Sequence, residues 1–330
     1  MSQPADTAPE QAPPPARGWW PRLTRLLTWA FFGVVGYFII RYAQGVRWDQ
    51  VWASITGMPL PVLAGAAALS ALSLTLYSCF DLLGRHYTGH ALSTSRVMKI
   101  NFISYAFNLN LGSLVGGVAF RFRMYSRSGL NYATITRIMT LSMITNWLGY
   151  LVLAGLIFTI APLPLPPDWK LDSLELRWIG VLLLMVALGY IALCLWSPRR
   201  SFMVRGHELL LPPRRMVPMQ LVMSCANWSI MGAIVWLLTR GEFPYPTVLA
   251  VLLVAAIAGV ITHVPAGLGV LEAVFIALLS HRMPEWQLLG ALLTYRALYY
   301  IAPLLVALLL YLWFEARHRP PARERYGSGG

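Results

Sequence analysis

Apolar residues in this chain gather into runs longer than a soluble core helix needs, and most charged residues fall between them. Runs at about 23–40, 61–84, 134–160, 177–196, 217–238 and 286–314 reach or approach the roughly 20 residues that cross a hydrocarbon layer. Two further runs, 97–120 and 248–280, are apolar but interrupted. The first contains Asn101, Asn108, Asn110, Gly112, Gly116 and Gly117. The second contains Pro265, Gly267 and Gly269, within a stretch from Ile261 to Glu272. Pro and Gly at that density oppose a continuous helix. Broken backbone survives in a membrane only where protein or water satisfies the freed N–H and C=O groups. Between the first two runs, Trp48, Val51, Trp52 and Ile55 share one helical face, which predicts a short amphipathic helix over 46–58 lying in the outer interface.

Charge decides how the interrupted runs are threaded. Arg17, Arg22 and Arg25 precede the first run and predict a cytoplasmic amino terminus. Arg85, His86, Arg96 and Lys99 lie before or at the start of 97–120, and Arg121, Arg123, Arg127 and Arg137 follow it. Both ends are cytoplasmic if the segment turns back at 108–117. The Pro-rich loop 161–175, with Asp168, Lys170, Asp172 and Glu175, is predicted to face outward. The loop 197–216, with Arg199, Arg200, Arg205, Arg214 and Arg215, is predicted to face the cytoplasm. The basic tail (Arg317, His318, Arg319, Arg323, Arg325) is cytoplasmic only if 248–280 enters from the outer side and returns there. The expected fold is all-α: a polytopic inner-membrane helical bundle of six full spans and two re-entrant hairpins of opposite orientation. Paired glycine-interrupted segments in the two halves imply an inverted repeat and point to a binding site. Residues 1–18 read as a disordered tail too poor in apolar side chains to pack, and not as a signal peptide. Residues 19–316 form the integral membrane domain and 317–330 a basic cytoplasmic tail.

Composition supports this class. The chain of 330 residues is 57% hydrophobic and 12% charged, against about 25% charged in soluble domains. Its net charge of +13 belongs to topology and to anionic lipid headgroups, not to nucleic acid. Cys79, Cys194 and Cys225 all lie in apolar runs without disulfide or metal-ligand spacing and read as packing residues.

Five polar features in or beside apolar sequence remain: the Glu272 and Arg296 pair, Arg121 with Arg123, Asp81, Asn108 with Asn110, and His263. Glu272 is expected in the first turn of a half-helix starting after Gly269, where the helix dipole favours a carboxylate. Arg296, deep in the last run, is its expected partner, because an unpaired guanidinium at mid-membrane costs at least about 2.5–3.5 kcal/mol. Arg121 and Arg123 share a face if their segment is extended. They then offer two guanidinium forks for a lipid phosphate, or anchor topology alone. Asp81 is expected to pair with Arg85 at i+4, or to couple a proton or ion. Asn108 and Asn110 bind a ligand or cap the hairpin turn. His263 is a candidate titrating group or a satisfied structural residue. The sequence has no nucleophile–base pair, Walker loop, HExxH or dinucleotide fingerprint, and implies no enzyme, no cofactor and no metal.

Three stretches carry a family resemblance. They are Gly116-Gly117 followed by Arg121-Phe122-Arg123-Met124-Tyr125; Pro265 to Glu272; and Tyr295-Arg296 with Tyr299-Tyr300 and Pro303. Together the chain resembles the transmembrane domain of the lysylphosphatidylglycerol synthases, the membrane half of the MprF proteins, and most of all its stand-alone, YbhN-type branch. In two-part members that domain is implicated in flipping aminoacylated phosphatidylglycerol, and a separate soluble domain performs the transfer. The chain ends at Gly330, so synthase activity is not expected. Ala266 stands where many relatives have glycine, implying a stiffer turn. The resemblance implies a lipid translocase or transporter-like protein handling a phospholipid headgroup. Its expected substrate-binding set is Arg121, Arg123, Glu272, Arg296, Asn108, Asn110, Gly267 and Gly269. The alternative is a non-transporting protein that binds lipid or scaffolds a phospholipid synthase. Membrane phospholipids are the expected partners either way.

The charge count generates a direct test of threading. Single cysteines at His281 and Arg282 should react with impermeant thiol reagents from the outer side, and labelling from the cytoplasmic side only would exclude the second hairpin.

Overall fold

The computed structural model describes residues 44–161, 163, 173–198, 201–204, 207–262 and 264–317. The run at 23–40, the tails 1–18 and 318–330, most of the 161–175 loop, Arg199, Arg200, Arg205 and His263 lie outside the described residues. The described chain is helical apart from one short antiparallel ribbon, Ser201–Val204 (β1) with His207–Leu210 (β2), inside the basic loop.

The amphipathic pattern at 46–58 forms α1 (Trp48–Thr56). Val51 is buried while Trp48 and Trp52 stay exposed, so the apolar stripe divides between the bundle and the outside. The run at 61–84 becomes α2 (Leu60–Ser78) and α3 (Phe80–Thr88), joined with a slight break at Cys79. Next come α4 (Thr94–Leu111), a π-helical turn (Ser113–Ala119) and α5 (Phe120–Arg127). Then follow α6 (Tyr132–Ile160), α7 (Ser173–Trp196), α8 (Met216–Leu238) and α9 (Tyr245–Thr262). After a 3-10 turn at Pro265–Gly267 come α10 (Val270–Leu279) and α11 (Glu285–Arg296). A π-helical turn (Ala297–Ile301) carries α11 into α12 (Ala302–Arg317).

Among the described residues, six helical segments are long and apolar enough to cross a membrane: Leu60–Thr88, Tyr132–Ile160, Leu174–Trp196, Met216–Leu238, Tyr245–Thr262 and Glu285–Ala316. Five match the predicted full spans. The sixth, α9, is the first arm of the interrupted 248–280 run. At 1.5 Å per residue its 18 residues reach about 27 Å, whereas the 10 residues of α10 reach about 15 Å. The second arm is therefore too short to cross.

Both interrupted runs fold as helical hairpins. The π-helical turn and α5 lie back against α4, and α10 lies back against α9. The two hairpins meet, because the Pro265–Gly267 turn rests on α4. Around them, α8 is the common neighbour of α2, α6, α9 and α11, while α4 touches α2, α3 and α12. Close approach depends on small residues. A Cβ on Gly149 of α6 would come within 2.5 Å of the Ser224 backbone of α8.

The first hairpin is tightest at Gly116. A methyl group there would overlap the Phe107 carbonyl and the Asn108 nitrogen, both backbone atoms with nowhere to move. At Gly117 it would meet only the Asn108 side-chain amide, at 3.1 Å. Gly116→Ala should therefore destabilise the protein by about 1–3 kcal/mol and Gly117→Ala by clearly less, as read from thermal unfolding of the purified protein in detergent.

Candidate functional site: two buried ion pairs joined by tyrosines

The break between α9 and α10 is a run of left-handed backbone. Ala266, Gly267 and Gly269 have φ of 58°, 55° and 76°. Glycine adopts this conformation freely, but at Ala266 it costs of the order of 1 kcal/mol. Gly269 caps α10 and places Glu272 in its first turn, as the sequence predicts. Arg296, at the end of α11, reaches across to this turn. Its Nε donates to Glu272 Oε1 and its Nη2 to Oε2 at 3.0 Å. The same guanidinium donates from Nη1 to the Ala266 carbonyl at 3.0 Å and from Nη2 to the Gly267 carbonyl at 2.8 Å. It also lies 5.2 Å from the centre of the Tyr300 ring, a favourable cation–π distance. Glu272 and Arg296 are each only 8% exposed. The expected pair thus exists, and its arginine also satisfies the carbonyls that the broken helix frees. Gly267 contributes a carbonyl to this cluster; Gly269 contributes only its backbone turn.

A second buried pair replaces the expected Asp81–Arg85 contact. Asp81 of α3 is fully buried and faces Arg121, whose Nε lies 3.3 Å from Asp81 Oδ2. That distance makes an ion pair, although the nitrogen is not aligned as a hydrogen bond. Arg121 Nη2 donates to Asn101 Oδ1, and Asn101 Nδ2 donates to the Tyr77 carbonyl at 2.8 Å. The Tyr125 hydroxyl donates to Asp81 Oδ2 at 2.8 Å, leaving Asp81 Oδ1 without a hydrogen-bond partner among the described residues. Arg85 turns the other way and donates to Thr94 Oγ1. An i+4 pair needs only helix geometry, but tertiary packing supplied Asp81 with a buried partner 40 residues on, where the electrostatic attraction is screened less.

Arg121 and Arg123 do not share a face. Their segment is the helix α5, so residues two apart diverge. Arg121 points inward, while Arg123 donates to Glu315 at 2.9 Å and Arg127 to the other oxygen of the same carboxylate. Glu315 thus clamps α5 to the end of α12. Asn110 Nδ2 donates to the Ala106 carbonyl and, at 3.1 Å, to the Tyr300 carbonyl, tying the first hairpin to the last helix. The Asn108 carbonyl accepts from Gly112 N–H at the hairpin turn, and its side chain packs at Gly117.

A column of buried aromatic and polar groups links the two pairs. Tyr295 stacks on Tyr299, and the Tyr299 hydroxyl lies 2.8 Å from Ser73 Oγ and 3.4 Å from the Tyr105 hydroxyl. Ser73 also donates to Asn227 Oδ1 at 2.8 Å. Tyr105 stacks on Tyr77, whose carbonyl receives the Asn101 amide of the second pair. The π-helical turn at 297–301 sets Tyr299 into the core and leaves the Tyr300 carbonyl for Asn110. The sequence reading singled out the ion-pair residues of the first cluster. It named Asn101 only among the interruptions of its run and missed Ser73, Tyr105 and Asn227, whose only signal was a polar atom amid apolar neighbours. Among the described residues, no three of His, Cys, Asp and Glu gather as a metal site would require.

Because Arg296 serves both the carboxylate and two carbonyls, exchanging the two residues should not restore what either single change removes. Glu272→Ala or Arg296→Ala is expected to cost about 3–5 kcal/mol. The double exchange Glu272→Arg with Arg296→Glu should stay close to the single variants, since it sets a carboxylate against the Ala266 and Gly267 carbonyls. Recovery of wild-type thermal stability by the exchanged protein would show that the carbonyl contacts carry nothing.

Comparison with known proteins places this architecture. The model of the lysylphosphatidylglycerol synthase transmembrane region matches residues 26–307. The chain is 46% identical over 299 residues to the inner membrane protein YbhN of Escherichia coli, covering 90% of this chain and 94% of that protein. It is 31% identical over 285 residues to protein slr0712 of Synechocystis, covering 85% of this chain and 88% of that protein. To the phosphatidylglycerol lysyltransferase of Staphylococcus aureus it is 24% identical over 297 residues, which span 85% of this chain but 33% of that enzyme. With the family model covering both hairpins and both ion pairs, this chain belongs to the lysylphosphatidylglycerol synthase transmembrane-region family.

Proposed function

We propose that this protein is an inner-membrane lipid translocase, or transporter-like protein, that handles a phospholipid headgroup and is not itself a lysyltransferase. The observation that carries this reading is the polar column between Glu272–Arg296 and Asp81–Arg121, buried inside a bundle whose outer surface is apolar. Ionisable side chains at membrane depth are costly and mark pathways for polar cargo. In this reading each carboxylate holds its arginine while no lipid is present, and a headgroup phosphate exchanges for the carboxylate. Guanidinium binds either anion through the same bidentate fork. The two helical hairpins enter the membrane from opposite faces, and their contact at the Pro265–Gly267 turn lies between the two half-pathways. The names of the relatives agree in location and lipid class: one is an inner membrane protein, another acts on phosphatidylglycerol.

The second reading, a scaffold for a phospholipid synthase, draws on the ribbon β1–β2 in the 197–216 loop. The ribbon is backbone order that a topology signal, which needs only charge, does not require. Co-purification of a synthase that survives loss of Glu272 but not of the loop arginines would favour this reading.

Leaflet-specific labelling of phospholipid headgroups tests the first. In cells where deletion shifts headgroup exposure, Glu272→Gln and Arg121→Gln should fail to restore the wild-type distribution while reaching wild-type membrane levels. Restoration by both variants would exclude translocation through this column.

A further inference from the structure

Four arginines of the bundle are held by carboxylates. Arg121 faces Asp81, Arg123 and Arg127 share Glu315, and Arg296 holds Glu272. Arg85 differs. It has no carboxylate against it among the described residues, and the stretch 82–99 contains no acid at all. Arg85 lines an open pocket of about 360 Å³ together with Leu82, His86, Gly89, His90 and Thr94.

Four features of that cavity suit an anion with several oxygens. Arg85 is oriented by its bond from Nη1 to Thr94 Oγ1, which leaves its other N–H groups to a ligand. The amino end of α4, an 18-residue helix whose Ser93 cap accepts the Arg96 N–H, reaches the cavity through Thr94 and brings the positive end of the helix dipole. His90 Nδ1 accepts the Leu92 N–H, so the ring proton lies on Nε2, and that buried nitrogen has no partner among the described residues. Burial and the Arg85 charge hold His90 below the ordinary imidazole range, so at neutral pH it is an uncharged N–H donor. Gly89 caps α3 in the left-handed conformation and adds no side chain at the rim. The cavity also adjoins the second ion pair, because the His90 ring meets the Tyr125 ring edge-on at 6.4 Å and the Tyr125 hydroxyl bonds Asp81.

We propose that this cavity is a phosphate-binding pocket, in which Arg85, His90 and the amino end of α4 hold the phosphate of a phospholipid headgroup or free phosphate. The translocation reading bears on this only by naming phospholipid as one source. The pocket requires no movement of lipid.

Purified full-length protein in detergent is titrated with inorganic phosphate and, separately, with dihexanoyl phosphatidylglycerol. Saturable binding is expected for at least one of them, weakened about tenfold or more by Arg85→Gln, with a smaller loss for His90→Phe, which keeps the ring against Tyr125. The charge-matched Arg137→Gln, on the exposed side of α6, should bind like wild type. Binding of the short lipid assigns a headgroup, and binding of inorganic phosphate alone assigns free phosphate. If Arg85→Gln fails to fold, the comparison of His90→Phe with Arg137→Gln decides. Absence of saturable binding by either ligand, or equal losses in the pocket variants and Arg137→Gln, overturns the proposal. Phosphate binding that depends on Arg85, in a protein whose deletion leaves headgroup exposure unchanged, would retain the pocket and remove the translocation reading.

Discussion

A helix broken inside a membrane protein leaves carbonyl oxygens and N–H groups that no water is present to satisfy, and each unsatisfied group costs several kcal/mol. In this protein the turn at Pro265–Gly267 is resolved by one side chain, Arg296, whose guanidinium accepts nothing and donates in a planar fork. Two of its nitrogens serve the Ala266 and Gly267 carbonyls, and Glu272 balances its charge. The three parts depend on one another. Without the turn Arg296 loses two acceptors, without Arg296 Glu272 is a buried charge, and without Glu272 the guanidinium is one. The contact of this hairpin with α4 rests on this arrangement.

The second pair shows the same physics with a looser fit. Arg121 is neutralised by Asp81 and oriented by Asn101, and Asn101 is itself held by the Tyr77 carbonyl of α2. One oxygen of Asp81 has no hydrogen bond among the described residues, whereas both oxygens of Glu272 are bonded. A pair with spare capacity exchanges partners more readily than a saturated one. The His90 ring that lines the Arg85 cavity meets Tyr125, whose hydroxyl bonds Asp81.

Much of this protein could be read without coordinates. Five predicted spans, the half-helix beginning after Gly269 and the pairing of Glu272 with Arg296 follow from hydrophobic run length, Pro/Gly interruption and the cost of an unpaired charge in hydrocarbon, while the family was legible in the motifs around Arg121, Glu272 and Arg296. These are strong constraints because they act on the chain locally, or allow few partners. Between the Pro/Gly break and the end of the last span, Arg296 was the basic residue deep in an apolar run that could answer Glu272.

Where several partners were available, sequence could not choose. Asp81 had Arg85 one helical turn away, yet Arg121 is its partner, because folding the first hairpin against α3 brings that guanidinium into a site closed to water. Arg121 and Arg123 were matched to an extended segment, but helix formation in α5 sent one to Asp81 and the other to Glu315. Ser73, Asn101, Tyr105 and Asn227 come from three helices and meet only through helix packing, which no periodicity within one helix encodes. The sequence by itself determined which segments are apolar enough to cross, where the helices break and which charges need partners, since each is a property of local composition. The tertiary structure alone decided which charge answers which, because that outcome depends on distances between helices far apart in the chain.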